Sequence, residues 1–127
     1  MSDIDKIIYK ELSYQIVGIL FDVYNELDYG HNEKYYYKAI GKAFDLKNIK
    51  YKSQAGFKIK YKGEEIGKYF LDFVVENKVV LELKKGAYFS KKNIEQIRSY
   101  LNVTGIKLAI LANFTPAGVK FYRLLNI

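Results

Sequence analysis

Asp72, Glu82 and Lys84 are the residues of this chain whose types and spacing could do chemistry. They lie in or beside two apolar runs, residues 69–75 and 79–83, separated by Glu76-Asn77-Lys78. Short β-branched and aromatic runs with a polar turn between them predict a β-hairpin. On a strand, residues i and i+2 share a face, so Glu82 and Lys84 point one way and Val79, Leu81 and Leu83 the other. A carboxylate and an ammonium on one face, joined by a second carboxylate from the neighbouring strand, can hold a hard cation and a water. The competing reading of Glu82 and Lys84 is the solvated face of an antiparallel strand. E-x-K is a common triplet, and its second copy, Glu76-Asn77-Lys78, falls where a solvated turn is expected.

Several elements must hold this hairpin in place. Apolar residues recur in steps of three and four at Ile4, Ile8, Leu12, Ile16, Ile19/Leu20, Val23 and Leu27. That spacing predicts one long amphipathic helix, capped by Ser2 or Asp3 and stopped at Asp28-Tyr29-Gly30. A second helix is expected from Asn32 or Glu33 to Leu46, with Tyr36/Tyr37, Ile40 and Phe44 as its stripe and Asn48 as its stop. In Phe57-Lys58-Ile59-Lys60-Tyr61-Lys62 apolar and basic residues alternate, the pattern of a half-buried strand. Lys50 and Lys52 share parity with Lys58, Lys60 and Lys62, so a strand without a bulge carries one exposed lysine stripe. Gln54 and Gly56 are where a bulge would break it. Lys62-Gly63-Glu64 reads as a turn into the central hairpin.

Downstream, Ser90 can cap a third helix carrying Ile94, Ile97 and Leu101, and Gly105 is placed to end it. Residues 107–113 form a near-continuous apolar run, as in a strand buried on both faces. Thr115-Pro116-Ala117-Gly118 breaks it before a last strand over 119–125. The order helix, helix, three strands, helix, two strands implies an α/β architecture, a mixed sheet flanked by helices. Lys85 follows the Glu82 strand, and Lys91 and Lys92 open the third helix. Two lysines there oppose the helix dipole but suit an approaching phosphate.

Composition narrows the classes. At 127 residues the chain is long enough for one domain, residues 1–127, and too short for two ordinary ones. Half of it is hydrophobic, which argues against disorder. With no cysteine there is no disulfide framework, thiolate zinc site or cysteine nucleophile, in keeping with a reducing, cytoplasmic setting. A His-rich metal site or a Ser-His-Asp triad would have to be built on its one histidine, His31, which sits beside Gly30 in an expected loop and reads as a solvent-exposed loop histidine. No apolar run approaches the length of a membrane span. A net charge of +7 points to a polyanionic partner, most often nucleic acid, though basic charge also serves solubility.

The chain also resembles a known family. Gly30-His31-Asn32-Glu33-Lys34-Tyr35-Tyr36 matches the G-x-x-E-x-x-Y motif of the GxxExxY family, which is grouped with the PD-(D/E)xK nuclease superfamily. Asp72, Glu82 and Lys84 follow the order and strand context of that superfamily's D…E-x-K signature. Gln96 and Tyr100 resemble the Q-x-x-x-Y helix motif of its exonuclease and recombination-nuclease branch. The resemblance covers nearly the whole chain and departs at Leu71, where the nominal signature has proline.

The resemblance implies a restriction-endonuclease-like core and a Mg²⁺- or Mn²⁺-dependent phosphodiesterase acting on nucleic acid, DNA ahead of RNA. Asp72, Glu82 and the Leu83 carbonyl would bind the metal, and Glu33 would touch it directly or through water. Lys84 would hold or deprotonate the attacking water and offset transition-state charge. A base role needs its ordinary pKa of about 10.4 depressed, and an electrostatic role does not. Gln96 would orient a phosphate or a water, with Tyr100 behind it. Lys58, Lys60, Lys62, Lys85, Lys91 and Lys92 would meet the nucleic-acid backbone. Each residue has a plainer alternative. Glu33 can simply stabilise its helix dipole, and Gln96 and Tyr100 can be the polar edge of an amphipathic helix. Two other classes of function stay open. One is a nucleic-acid-binding module that keeps the fold without turnover. The other is an interaction protein whose first helix pairs with a partner, or with its own copy as a homodimer.

Overall fold

A computed structural model describes residues 8–126. Its elements are α1 (Lys10–Leu27), α2 (Glu33–Leu46), β1 (Tyr51–Tyr61), β2 (Glu64–Val75), β3 (Val79–Lys85), α3 (Lys91–Thr104), β4 (Leu108–Thr115) and β5 (Gly118–Leu125). The strands form one sheet in the order β1-β2-β3-β4-β5. All pairs are antiparallel except β3 with β4, which are parallel and joined through α3. This is the expected mixed sheet flanked by helices, a restriction-endonuclease-like fold.

Each face of the sheet has its own core. Ile16, Ile19 and Leu20 of α1 and Tyr36, Ile40 and Phe44 of α2 pack on Phe73, Leu81, Leu83, Ile110 and Phe114. On the other face Ile97 and Leu101 of α3 pack on Leu71, Val74, Val80, Ala109 and Leu111. All eight residues of β4 are buried. That is why its sequence is a continuous apolar run: a central strand covered on both faces has no solvated side to alternate with. Among the described residues no helix is long and apolar enough to cross a membrane.

The ends of the helices follow local chemistry. Ser90 Oγ accepts the Asn93 N–H at 3.0 Å, and Gly105 closes α3 at φ 76°. Asn48, at φ 56°, turns the chain away from α2. The first helix differs from expectation. Ser2, Asp3 and Ile4 lie outside the described residues, and α1 begins only at Lys10, after Tyr9 at a left-handed φ of 47°. The apolar period therefore runs from Ile8 into Leu12 across a change of backbone direction. At the other end Asp28, rather than glycine, takes the first positive φ, 58°.

One irregularity shapes everything that follows. β1 and β2 pair without a register shift from Tyr51↔Val75 to Ile59↔Gly67, but the pairing skips Gln54, which sits at φ 50°. Residues of one parity change faces there. Tyr51, Phe73 and Val75 join the core under α1 and α2, whereas Ala55, Tyr69 and Leu71 join the core under α3. Both strands are thus kinked at the Gln54–Asp72 level, the re-aiming that a bulge produces. The single lysine stripe is corrected accordingly. Lys52 and Lys58 lie on opposite faces, and Lys62 leaves the strand for a tight turn with Gly63, both at positive φ. A true register shift does occur, but it falls at Ile59/Lys60.

Candidate active site

α2 starts where Gly30, at φ 135°, lets the chain turn out of α1. Glu33 stands in the first turn, and its Oε1 accepts the Lys85 main-chain N–H at 2.7 Å. The helix N-terminus is thereby tied to the end of β3. Tyr36, one turn on, is fully buried. Its hydroxyl donates to the Asp28 carbonyl and accepts the His31 main-chain N–H at 3.4 Å. Its ring stacks on Phe114 with centroids 4.6 Å apart. Tyr36 therefore locks the turn that presents Glu33. Tyr36→Phe keeps the stacking and loses the hydroxyl, so urea unfolding should show about 1 kcal/mol less stability.

The centre of the site is the fork where β2 leaves β3. Ladder pairing stops at Phe73↔Leu81. Beyond it the Leu83 N–H donates to Asp72 Oδ2 at 2.8 Å, and the Asp72 N–H donates to Glu82 Oε1 at 2.8 Å. Two carboxylates thus replace the missing main-chain partners. The N–H and C=O of a strand residue leave by the same edge, so the Leu83 carbonyl also faces this fork. Glu82 is buried, with 5% exposure, and Lys84 two residues on is exposed.

The acidic groups also act on one another's charge. Burial raises the Asp72 carboxyl to about 6, and the charge of Glu33 adds to it; the Leu83 N–H and Lys84 pull the other way. Burial raises Glu82 further, to about 8, reinforced by the charges of Asp72 and Glu33. A hydrogen bond between the two carboxyls lowers Asp72 and raises Glu82, so Glu82 is the one that keeps the proton. Glu33, Lys34, Tyr37, Gln54, Asp72 and Leu83 line a cleft of about 210 Å³. A larger groove of about 490 Å³, between α1 and β5, contains none of Glu33, Asp72 and Glu82.

The family model described as the PD-(D/E)XK nuclease superfamily matches residues 10–124. The chain belongs to this superfamily. Comparison with the curated proteins finds no match. Among solved structures the chain is similar to the crystal structure of SSO0001, at 15% identity over 92% of this chain and 78% of that one, with a TM-score of 0.43.

Within this PD-(D/E)XK chain, the structure brings Glu33, Asp72, Glu82, Lys84 and the Leu83 main chain to one fork. It treats the other expected residues differently. The Gln96 carbonyl, not its carboxamide, is engaged, accepting the Tyr69 hydroxyl at 2.6 Å. Tyr100 turns its ring onto Phe57 with centroids 5.4 Å apart, toward β1. Among the described residues no hydrogen bond joins either side chain to the carboxylates. Lys91 and Lys92 are exposed in the first turn of α3, and the Lys85 ammonium lies over the Tyr29 ring at 4.8 Å. Glu76 does more than solvate a turn: its Oε1 accepts the Lys50 N–H at 2.6 Å.

Three residues of this neighbourhood carry no motif. Gln54 lines the cleft at the kink, and the sequence marks it, with Gly56, only as a place for a bulge. Tyr37 lines the cleft with its ring stacked on Phe73 at 4.7 Å, and its buried hydroxyl has no hydrogen-bond partner among the described residues. Such a hydroxyl is a ready donor for a ligand. Asn113, paired in register with Lys84, donates from Nδ2 to the Gly86 carbonyl at 2.9 Å and so holds the segment after β3.

The donor set fits a hard divalent cation. Asp72 and Glu82 offer adjacent carboxyl oxygens, and each has a second oxygen beyond the one bonded to main chain. Among the described residues no three acidic or histidine side chains already converge as a ligand set. One oxygen of each, Asp72 Oδ2 and Glu82 Oε1, is engaged by a main-chain N–H.

Proposed function

We propose that this protein is a metal-dependent nuclease of the GxxExxY branch, hydrolysing DNA phosphodiester bonds. The observation that carries the reading is the Asp72–Glu82 interlock at the β2/β3 fork, with Glu33 beside it and Lys84 on the same strand. Nothing in folding favours two adjacent buried carboxyls, both raised by burial, with Glu82 raised further by the charge of Asp72. Such a pair is usual where charge is to be neutralised by a ligand. Asp72, Glu82 and the Leu83 carbonyl would hold Mg²⁺ or Mn²⁺, with Glu33 near enough to reach through water. When bound, the cation supplies Lewis acidity and offsets negative charge on the phosphate.

The chain's own residues divide the remaining work. Lys84 places a positive charge beside the reacting phosphate, where it stabilises the more negative transition state more than the ground state. Its flexible stem also lets the ammonium orient the attacking water. Tyr37, with its unpaired hydroxyl, and Gln54 offer hydrogen bonds inside the cleft. Lys34 and Lys85 flank Glu33 and add positive potential at the mouth.

The test uses supercoiled plasmid and single-stranded DNA with Mg²⁺ or Mn²⁺ and an EDTA control, alongside calorimetric titration of Mn²⁺. Wild type should bind the ion at one site and cleave, and Asp72→Ala should abolish both. Wild-type protein that binds no ion and cleaves no substrate would return the chain to the second reading, a nuclease fold retained for binding alone. The orientation of Asp72 and Glu82 onto main-chain amides is the feature that favours that second reading.

A further inference from the structure

The distal half of the β1–β2 hairpin has one face against α3 and one face bare. Ala55, Phe57 and Tyr69 turn toward α3. Their neighbours of the other parity, Gly56, Lys58, Lys68 and Phe70, therefore turn away from it. Directly opposite residues on paired strands share a face, and the register sets Gly56 opposite Phe70 and Lys58 opposite Lys68. All four are exposed, Phe70 by 55%. Phe70 is thus an exposed aromatic on the face that adjoins the cleft.

The local packing fixes where this ring stands. The Lys68 ammonium lies over the Phe70 ring at 5.1 Å from its centroid. Gly56 makes the room: a Cβ there would stand 2.7 Å from Lys68 Cε and 3.4 Å from the Phe70 ring. The face is also continuous with the cleft. Gln54 and Asp72 line the cleft at the kink, and Gly56 with Phe70 is the next pair outward on that face. Beyond come Lys58 and Lys68. Rows on one face of a strand repeat about every 7 Å, comparable to the step between successive phosphates of an extended strand.

We infer that this bare hairpin face is a track for single-stranded nucleic acid leaving the cleft, with Phe70 as a stacking platform for an unpaired base and Lys58 and Lys68 as its phosphate contacts. This rests on the reading that Asp72 and Glu82 mark where the phosphodiester is cut, and it names the substrate as one with an unpaired segment there. A flat aromatic flanked by lysines suits exposed base faces, which duplex DNA does not offer. The lysine set differs from the stripe expected from sequence: Lys68 joins it, and Lys62 belongs to the turn.

The experiment is fluorescence-anisotropy titration of labelled oligothymidylate, and of a blunt duplex of equal length, in Ca²⁺ over a range of salt. Phe70→Leu should weaken single-strand binding about tenfold while leaving duplex binding unchanged. Phe70→Tyr should bind like wild type, which separates stacking from damage to the fold. Lys58→Gln and Lys68→Gln should each flatten the single-strand salt slope by about 0.7. Wild-type single-strand affinity in Phe70→Leu overturns the track, and so does an equal loss on duplex, which would make the hairpin a general DNA contact. Neither outcome depends on turnover. Failure of cleavage or of Mn²⁺ binding would instead strike the nuclease reading, and with it the cut from which the track leads, whatever the titrations show for strand binding on this face.

Discussion

Lys84→Met should cut metal-dependent cleavage by about 10²-fold or more while leaving Mn²⁺ affinity intact or slightly tighter. The methionine keeps the aliphatic stem and removes only the ammonium. Lys84 is exposed and makes no hydrogen bond with its side chain among the described residues, so the fold loses no hydrogen bond. Its charge does act on the site, since it is one of the groups that holds Asp72 down. Removing it has two opposed effects on a cation. The direct repulsion between ammonium and cation disappears, which favours binding. Asp72 becomes a little harder to deprotonate, which lets protons compete at neutral pH but not at pH 8 and above. Calorimetry at two pH values therefore separates the terms. Asp72→Asn and Glu82→Gln should behave differently, losing metal affinity and cleavage together because each removes an anionic ligand. If Lys84→Met cleaves like wild type, Lys84 is a solvated surface lysine and the activity belongs to other groups.

What sequence reasoning could see here depended on what each residue does with its backbone. Asp72, Glu82 and Lys84 were visible because hairpin order and strand parity need only a local pattern, and Glu33 because a helix start is a local event. The central strand β4 was visible because burial on both faces leaves an unbroken apolar run. The kink was legible only as a choice between two positions, Gln54 and Gly56. Gln54 takes a left-handed φ without being glycine, and the register continues through it, so nothing in the alternation marks the point where the two faces exchange. The parity that joined Lys52 to Lys58 required a strand without a bulge, and it breaks at Gln54. Gln96 and Tyr36 show a second limit. Spacing tells which residues share a helix face, but not that Gln96 would engage through its carbonyl or that Tyr36 would spend its hydroxyl on the Asp28 carbonyl. The role of Glu76 as a partner for the Lys50 N–H was hidden in the same way, since a turn residue can look solvated and still be bonded to a strand distant in sequence.

The carboxylate pair also predicts an unusual pH dependence of stability. Asp72 and Glu82 have folded-state pKa values of about 6 and about 8, both above their ordinary values. A carboxyl raised on folding binds its proton more tightly in the native state. Its contribution is fully present below the unfolded pKa and is lost as pH rises through the folded one. The window therefore runs from about pH 4.5 up through pH 8, where the metal-free protein should become steadily less stable. Each pKa unit is worth about 1.4 kcal/mol. Retaining a single unit's worth from this coupled pair would lower the melting temperature by about 5 °C across that range for a chain of this size. The general effect of acid runs the other way, because protonating surface carboxylates adds to a net charge that is already +7. A Glu82→Gln variant isolates the pair: it keeps that global term and loses the local one, so the wild-type-minus-variant difference should favour wild type at low pH and decline toward alkaline pH. Mg²⁺ or Mn²⁺ should oppose the decline, since a ligand that binds only the folded, deprotonated site stabilises it in proportion to its occupancy. Thermal melts in EDTA and in metal, at matched ionic strength, read both effects. Parallel pH profiles for wild type and Glu82→Gln, with no metal-dependent shift, would mean that the two carboxylates are relaxed by solvent and are not a site held ready for a cation.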